Sequence, residues 1–367
     1  MMRFTCERSV LLKETAIANE IIASKNAISI LSNIYFEAKD GSLTIKATDL
    51  KVNFETKVPV DILEDGSVTV YLDKFYGILN SIPDGEVEFE QIDNKINIKT
   101  AVKKARFQLK SIASDKFPEF SSSGKDFFEM PIRDFKEMIH ETIFAISDDE
   151  TRYFMNGIYF EKAQEKFIMV ATDGRRLAYI EKPSSEGIND FSGIIIPPKI
   201  LNIVLKRAGD EGTVKISITD KIIFIQFGSY KLSSVLIEGQ FPNYRKVIPE
   251  NQVNSFTFDR LEMLDALRRV SLLVEQRSHR IYLGLIPGAV SVYSEENDIG
   301  NAREEIPCKY DGEELSIAFN YRYLDEPLKV MDGNEVTIFF NDPNKTITIK
   351  PVPEKDFLHI VVPMQQD

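Results

Sequence analysis

Apolar positions along this chain recur in two rhythms: a spacing of three and four that argues helix, and a spacing of two that argues strand. The first run predicts a helix over 8–25, with Leu11, Leu12, Ile17, Ile21 and Ile22 inward and Arg8, Lys13, Glu14, Glu20 and Lys25 outward. Alternating strands follow at 34–38, 43–47 and 52–58, with Asp40-Gly41 as a turn. A strand at 68–72 leads to Asp73, read as the N-cap of a short helix over 74–81, and strands at 86–90, 96–100 and 105–109 close the run.

The same plan then repeats twice. Pro131 suits a first helical turn, and Ile132, Phe135, Met138, Ile139, Thr142, Ile143 and Ile146 keep the helical period. Strands follow around Ile158 and Val170 and through Ile194-Ile195-Ile196, then a short helix over 199–208 and strands at 214–218, 222–227 and 231–236. In the third run Asp259 caps a helix that turns Leu261, Leu264, Leu267, Val270 and Leu273 inward. Strands at 281–286 and 289–294 precede a helix over 321–331, opened by Asn320 and expected to kink or stop at Pro327, and strands at 336–340, 346–350 and 358–362 finish the chain.

Local identities support a duplication. Ala47-Thr48-Asp49 matches Ala171-Thr172-Asp173, Ile34-Tyr35-Phe36-Glu37 matches Ile158-Tyr159-Phe160-Glu161, and Phe117-Pro118 matches Phe241-Pro242, each at 173 − 49 = 124 residues. That period is far longer than a solenoid repeat, so each copy is a domain. The expected domains are 1–122, 123–249 and 250–367, with linkers at Ser121-Ser122-Ser123-Gly124-Lys125 and Pro249-Glu250-Asn251-Gln252. Each would be an α+β unit, two helices covering antiparallel sheet.

The stretch Val170-Ala171-Thr172-Asp173-Gly174-Arg175-Arg176-Leu177-Ala178 carries the most chemistry. Asp173-Gly174 is the dipeptide that a two-residue hairpin turn favours, and two arginines emerge beside it. They read either as surface cations of a solvated turn or as part of a recognition site. An enzyme is disfavoured: no histidine or cysteine lies near Asp173 in sequence, and no glycine-rich phosphate loop precedes a helix. His140, His279 and His359 are dispersed and Cys6 and Cys308 are isolated, so neither a metal nor any other cofactor is expected. No signal peptide or long apolar span is read, which predicts a cytoplasmic protein without a membrane partner.

Net charge is −12, but it is unevenly spread. The three thirds carry 16 basic and 18 acidic residues, 17 and 18, and 12 and 21, so the last third alone contributes −9. Such asymmetry suits a contact between unlike ends of two copies.

Phe4-Thr5-Cys6-Glu7-Arg8, Met155-Asn156-Gly157, the stretch 171–178, Phe241-Pro242-Asn243-Tyr244-Arg245-Lys246-Val247-Ile248-Pro249 and Val361-Val362-Pro363-Met364 together resemble the bacterial replicative polymerase beta sliding clamp family over the whole chain. The resemblance implies three clamp domains per chain and a ring of two head-to-tail chains through which double-stranded DNA passes without sequence-specific contact. It also implies a non-catalytic processivity role in which the replicative DNA polymerase alpha subunit, the clamp loader, and other polymerases and repair proteins dock short peptides. The implied groove residues are Met155, Thr172, Gly174, Arg175, Arg176, Leu177, Pro242, Lys246, Val247, Asn320, Tyr323, Thr346, Ile360, Val362, Pro363 and Met364. Lys25, Arg152, Lys199, Lys206, Arg207 and Arg269 are the candidates to face DNA. The candidate dimer interface is Lys74, Lys103, Lys104, Arg106, Phe107, Leu109, Leu272, Leu273, Glu304 and Glu305. The chain departs from the family in its Gln365-Gln366-Asp367 ending and in Lys246, where arginine is common. A peptide-binding scaffold that never encircles DNA is the other reading of the same repeats.

Overall fold

The computed structural model describes residues 2–22, 30–102, 105–122 and 126–366. Lys25, Lys103, Lys104 and the 123–125 part of the expected first linker lie outside them. The six helices seen there are α1 (Arg8–Ile21), α2 (Leu72–Ser81), α3 (Ile132–His140), α4 (Pro198–Arg207), α5 (Arg260–Val270) and α6 (Arg322–Val330). The strands are antiparallel throughout, joined mostly by short turns, as the alternating pattern requires.

The chain divides into two compact units that cut across the sequence thirds. Unit one is Met1–Arg133 with Lys199–Leu236, and unit two is Asp134–Pro198 with Ile237–Asp367. In unit one the strand Val52–Pro59 pairs with Tyr230–Val235, so Phe54 faces Leu232 across the ladder. In unit two Arg176–Pro183 pairs with Phe357–Val361, so Leu177 faces Ile360. These two ladders join residues about 180 positions apart, and each extends a continuous sheet, thirteen strands in unit one and twelve in unit two among the described residues.

Several local expectations are corrected. A strand precedes α1, α3 and α5 (Arg3–Glu7, Phe128–Pro131 and Asn254–Asp259), each too short to announce itself by alternation. α1 ends at Ile21, short of the expected 25. Glu14, assigned to its outer face, is buried, and the Tyr230 hydroxyl donates to its Oε1 at 2.9 Å. Tyr71, not Asp73, occupies the N-cap position of α2 and makes no side-chain cap bond; Asp73 lies in the first turn, where its charge favours the helix dipole. α3 stops at His140, where Thr142 Oγ1 donates back to the Met138 carbonyl at 2.7 Å and a short 3₁₀ turn, Ile143–Ala145, follows. Leu261 on α5 is 56% exposed, because Met263, Ala266, Leu267 and Val270 form the inward stripe instead. Asp259 does cap that helix, accepting from the Leu261 and Glu262 amides at 2.9 Å each. α6 passes through Pro327 without stopping, and its final bond runs from the Met331 amide to the Pro327 carbonyl. Asn320 Oδ1 accepts from the Arg322 amide at 3.1 Å, so it opens α6 as expected.

One glycine fixes the packing behind the candidate site. A Cβ at Gly193 would fall 1.9 Å from the Tyr159 ring, which is stacked on Phe241 at 4.8 Å. The ring lies against bare backbone because no side chain intervenes. Gly193→Ala should therefore displace Tyr159 and destabilise the protein by roughly 1–3 kcal/mol, read as a lower midpoint in chemical denaturation.

Candidate functional site

The expected groove residues all belong to unit two, and their frame is the hairpin between Lys166–Thr172 and Arg176–Pro183. The expected two-residue turn is instead a loop, 173–175, organised by side chains. Asp173 Oδ1 accepts from the amides of Arg175 and Arg176 at 2.9 and 3.0 Å. Thr172 Oγ1 accepts from the Gly174 amide at 3.0 Å and donates to the Arg176 carbonyl at 2.5 Å. Gly174 adopts φ 87°, which accounts for glycine there. A Cβ at Gly174 would also lie 2.9 Å from Arg152 Nη1. Arg152, assigned to the DNA-facing set, is thereby brought beside the groove loop, with its Nε held to Asp149 at 2.8 Å.

Arg176 is no free surface cation. Its side chain is only 11% exposed and meets Asp173 Oδ2 at 3.1 Å, the Glu326 carboxylate and the Phe144 carbonyl at 2.7 Å. The guanidinium also lies 4.8 Å from the Tyr323 ring centre and 5.6 Å from that of Phe144. Arg175, next to it, is exposed, and its carbonyl accepts from the Val362 amide at 2.9 Å. That bond carries the C-terminal segment past the loop, and the Met364 amide then donates to the Ala318 carbonyl at 2.8 Å. Gln366 adds a bond from Nε2 to the Ser316 carbonyl at 2.7 Å.

Beneath this frame lies a cluster of Ile168, Val170, Leu177, Ile195, Phe241, Tyr244 and Ile360. Of the expected groove residues, Met155, Thr172, Leu177, Ile360 and Pro363 are buried. Arg176, Pro242, Asn320, Tyr323, Thr346 and Met364 are half-buried, and Gly174, Arg175, Lys246, Val247 and Val362 are exposed. Val247 and Val362 are exposed apolar side chains, 46% and 41%, on segments flanking the cluster. Glu161 ties one flank down: Tyr244 and Tyr159 donate to its two oxygens at 2.7 and 3.0 Å, and Arg245 adds an ion pair. Burial first and Glu161 second push both phenols up, Tyr159 to about 12.

Reading from sequence missed Phe144, Glu326, Glu141 and His359, none of which lies in a motif. His359 is fully buried in the ladder opposite Ala178, between the Phe144 and Phe357 rings. Its Nε2 is 3.6 Å from Glu141 Oε2. Burial raises the Glu141 carboxyl to about 8, while burial and then Arg176 hold His359 well below its ordinary value. Both shifts favour the uncharged forms, which disfavours a buried ion pair here.

The other candidate sets scatter. Lys199, Lys206 and Arg207 gather on α4 in unit one, where Lys199 Nζ meets Asp49 at 2.5 Å and the Ile21 carbonyl at 2.7 Å and Lys206 meets Glu20 at 2.9 Å. Arg207 is half-buried. In unit two Arg269, expected to face DNA, binds both carboxylate oxygens of Glu304, at 2.7 and 2.5 Å, so Glu304 is already paired within its own chain. Glu305 is exposed, Leu272 is 79% exposed and Leu273 half-buried. In unit one Lys74 is exposed and pairs with Asp73 at 3.1 Å. Arg106 is exposed and Phe107 and Leu109 are half-buried on the strand Arg106–Ile112. Among the described residues, that strand pairs with Lys95–Thr100 on one side and on the other reaches Gly66–Tyr71 only through Ser111 and Ile112.

Family profiles for the DNA polymerase III beta subunit match three successive stretches: the N-terminal domain at residues 2–121, the central domain at 129–243 and the C-terminal domain at 245–365. The chain belongs to the DNA polymerase III beta subunit, or beta sliding clamp, family. It is 45% identical to the beta sliding clamp of Treponema pallidum, with all of both chains covered. It is 31% identical to that of Caulobacter vibrioides over 99% of this chain and 100% of the relative. Crystal structures of the sliding clamps of Pseudomonas aeruginosa and Bartonella birtlesii, each bound to griselimycin, superpose with TM-scores of 0.93 at 26% and 29% identity over the full length of both chains. The fold is the α+β clamp fold with three domains, and the function is that of a non-catalytic DNA polymerase processivity clamp in DNA replication. No group of His, Cys, Asp and Glu among the described residues could hold a metal ion, and no helix there is long and apolar enough to cross a membrane.

The buried Glu141 gives this site a pH signature. Its folded pKa lies above the ordinary 4.5, so the stability it contributes is complete below that value and is lost as pH rises towards 8. Glu141→Gln, which keeps a neutral donor, should melt progressively higher than the parent as pH is raised from 5 to 8, with the two converging near pH 4.5; a constant difference across melts at those pH values would contradict this origin.

Proposed function

We propose that two copies close head to tail into a ring around double-stranded DNA, and that the unit-two hairpin site is the groove where partner peptides dock. The observation that carries the groove is the apolar cluster of Val170, Leu177 and Ile360, framed by the pinned loop 173–175 and flanked by exposed Val247 and Val362. Aliphatic and methionine side chains beside a close backbone approach at Gly174 suit varied apolar anchors. The peptides come from the replicative polymerase alpha subunit, the clamp loader, and other polymerases and repair proteins. Met155, Leu177, Pro242, Ile360 and Met364 seat the anchors, while Arg175, Lys246 and Asn320 make the polar rim. Arg176 acts as the pin behind them.

The ring reading is supported by the partly unpaired edge of Arg106–Ile112, with Arg106 outward, and by the −9 charge of the last third. DNA is held topologically: enclosure removes the need for tight phosphate contacts, which would drag on a sliding protein. Domains at 1–122, 123–249 and 250–367 serve as the three repeats of each half-ring, and the protein works in the cytoplasm.

Two experiments test these assignments. Griselimycin should bind the parent and lose at least about tenfold in affinity with Val362→Asp, since a carboxylate on an apolar rim costs desolvation; equal affinity by calorimetry would remove Val362 from the groove. The protein should sediment as a dimer that Arg106→Glu weakens, and clamp-loader-assembled protein should persist on nicked circular DNA but leave after linearisation. Equal loss from both DNA forms would leave only the peptide scaffold.

A further inference from the structure

The hairpin frame of the groove has a counterpart inside unit one. Adding 124 to each number carries the strand Ser42–Thr48 onto Lys166–Thr172 and Val52–Pro59 onto Arg176–Pro183. The connecting loops are bonded alike. Asp49 Oδ1 accepts from the amides of Lys51 and Val52 at 2.9 and 2.7 Å, as Asp173 does from Arg175 and Arg176, and Thr48 Oγ1 accepts from the Leu50 amide at 2.9 Å, as Thr172 does from Gly174. Each hairpin then takes a distant partner strand, with Asn53 opposite Ser233 in unit one where Leu177 is opposite Ile360 in unit two. A ring pair flanks each: Tyr35 with Phe117 at 5.3 Å, and Tyr159 with Phe241 at 4.8 Å.

The side chains on the floor differ. Where unit two has Val170, Leu177 and Ile360, unit one has Lys46, Asn53 and Ser233. Asn53 Nδ2 donates to Ser233 Oγ at 3.0 Å and its Oδ1 accepts from Thr48 Oγ1 at 2.6 Å. Lys46 Nζ sits 3.4 Å from Glu55 and 5.5 and 5.6 Å from the Tyr35 and Phe120 ring centres. The space is open: cavities of about 180 and 510 Å³ share Glu55, Phe120 and Ser121. Asn53 and Ser233 line the smaller and Lys46 the larger. An apolar anchor seated there would strip water from an ammonium and an amide without replacing its hydrogen bonds.

We propose that Lys46, Asn53 and Ser233 close the unit-one counterpart to the apolar peptides that the unit-two hairpin takes. The two frames share their backbone bonding, so the chemistry of the floor separates a docking site from a silent copy. This inference rests on the groove reading above.

Counting sites tests it. A labelled pentapeptide with leucine and phenylalanine anchors, titrated calorimetrically into the full-length protein, should occupy one site per chain. The triple variant Lys46→Val, Asn53→Leu, Ser233→Ile should occupy two, the second within about tenfold of the first in affinity. A triple variant with the parent's melting profile that still binds one peptide overturns the inference alone; a parent that binds none overturns the groove reading and the inference with it. If the triple variant does not fold, the double variant Asn53→Leu, Ser233→Ile decides. Melting cooperatively, it should show a second site weaker than the first, and a single retained site overturns the inference while leaving the groove reading intact.

Discussion

Arg176 is the group on which the unit-two site depends. It joins the hairpin loop through Asp173, α6 through Glu326 and Tyr323, and the turn after α3 through Phe144. A guanidinium this buried is stable only because its donors find acceptors in fixed directions and its faces meet aromatic rings. Removing one partner of such an arrangement costs about 3–5 kcal/mol, since the remaining charge keeps its desolvation penalty. The strength of the pin lies in its convergence: three segments distant in sequence are held by one side chain.

The pin works together with the ladder between Arg176–Pro183 and Phe357–Val361. That ladder sets Leu177 against Ile360 and lets the C-terminal segment continue past the loop to Ala318. Beneath it burial shifts a second titratable pair towards its uncharged forms. Glu141 and His359 sit 3.6 Å apart in an apolar pocket, where ionising both would cost more than their attraction returns. Arg176 thus lies above a pair shifted towards neutrality, while Arg245 pairs with Glu161 on the flank and Val247 and Val362 supply apolar surface.

The internal repeat shows how a duplicated backbone is assigned different chemistry. The Thr-Asp loop recurs at Thr48-Asp49 and Thr172-Asp173, and Asn297, a further 124 residues on, accepts from the Ile299 and Gly300 amides in the same way at 2.9 and 3.2 Å. Short polar side chains bonding their own following amides are a local device, so they survive duplication with little dependence on surroundings. The floor residues packed under each loop carry no such local constraint and differ, aliphatic in unit two and polar in unit one.

What the sequence by itself determined is the local order: helices by their three-and-four spacing, strands by alternation, the Asp259 cap, and a duplication of the first third in the second at a spacing of 124. It also pointed to the stretch 171–178, because a turn signal and two arginines break an apolar run there. Only the tertiary structure decided which arginine is buried, that Glu14 lies inside beside Tyr230, that Glu304 is already paired with Arg269, and that the middle third divides between two sheets. The reason is physical. Periodicity and capping act within a few residues and leave their mark on neighbouring letters, whereas ladder partners, ion pairs and burial are settled between segments up to about 180 positions apart, where no local pattern records the match.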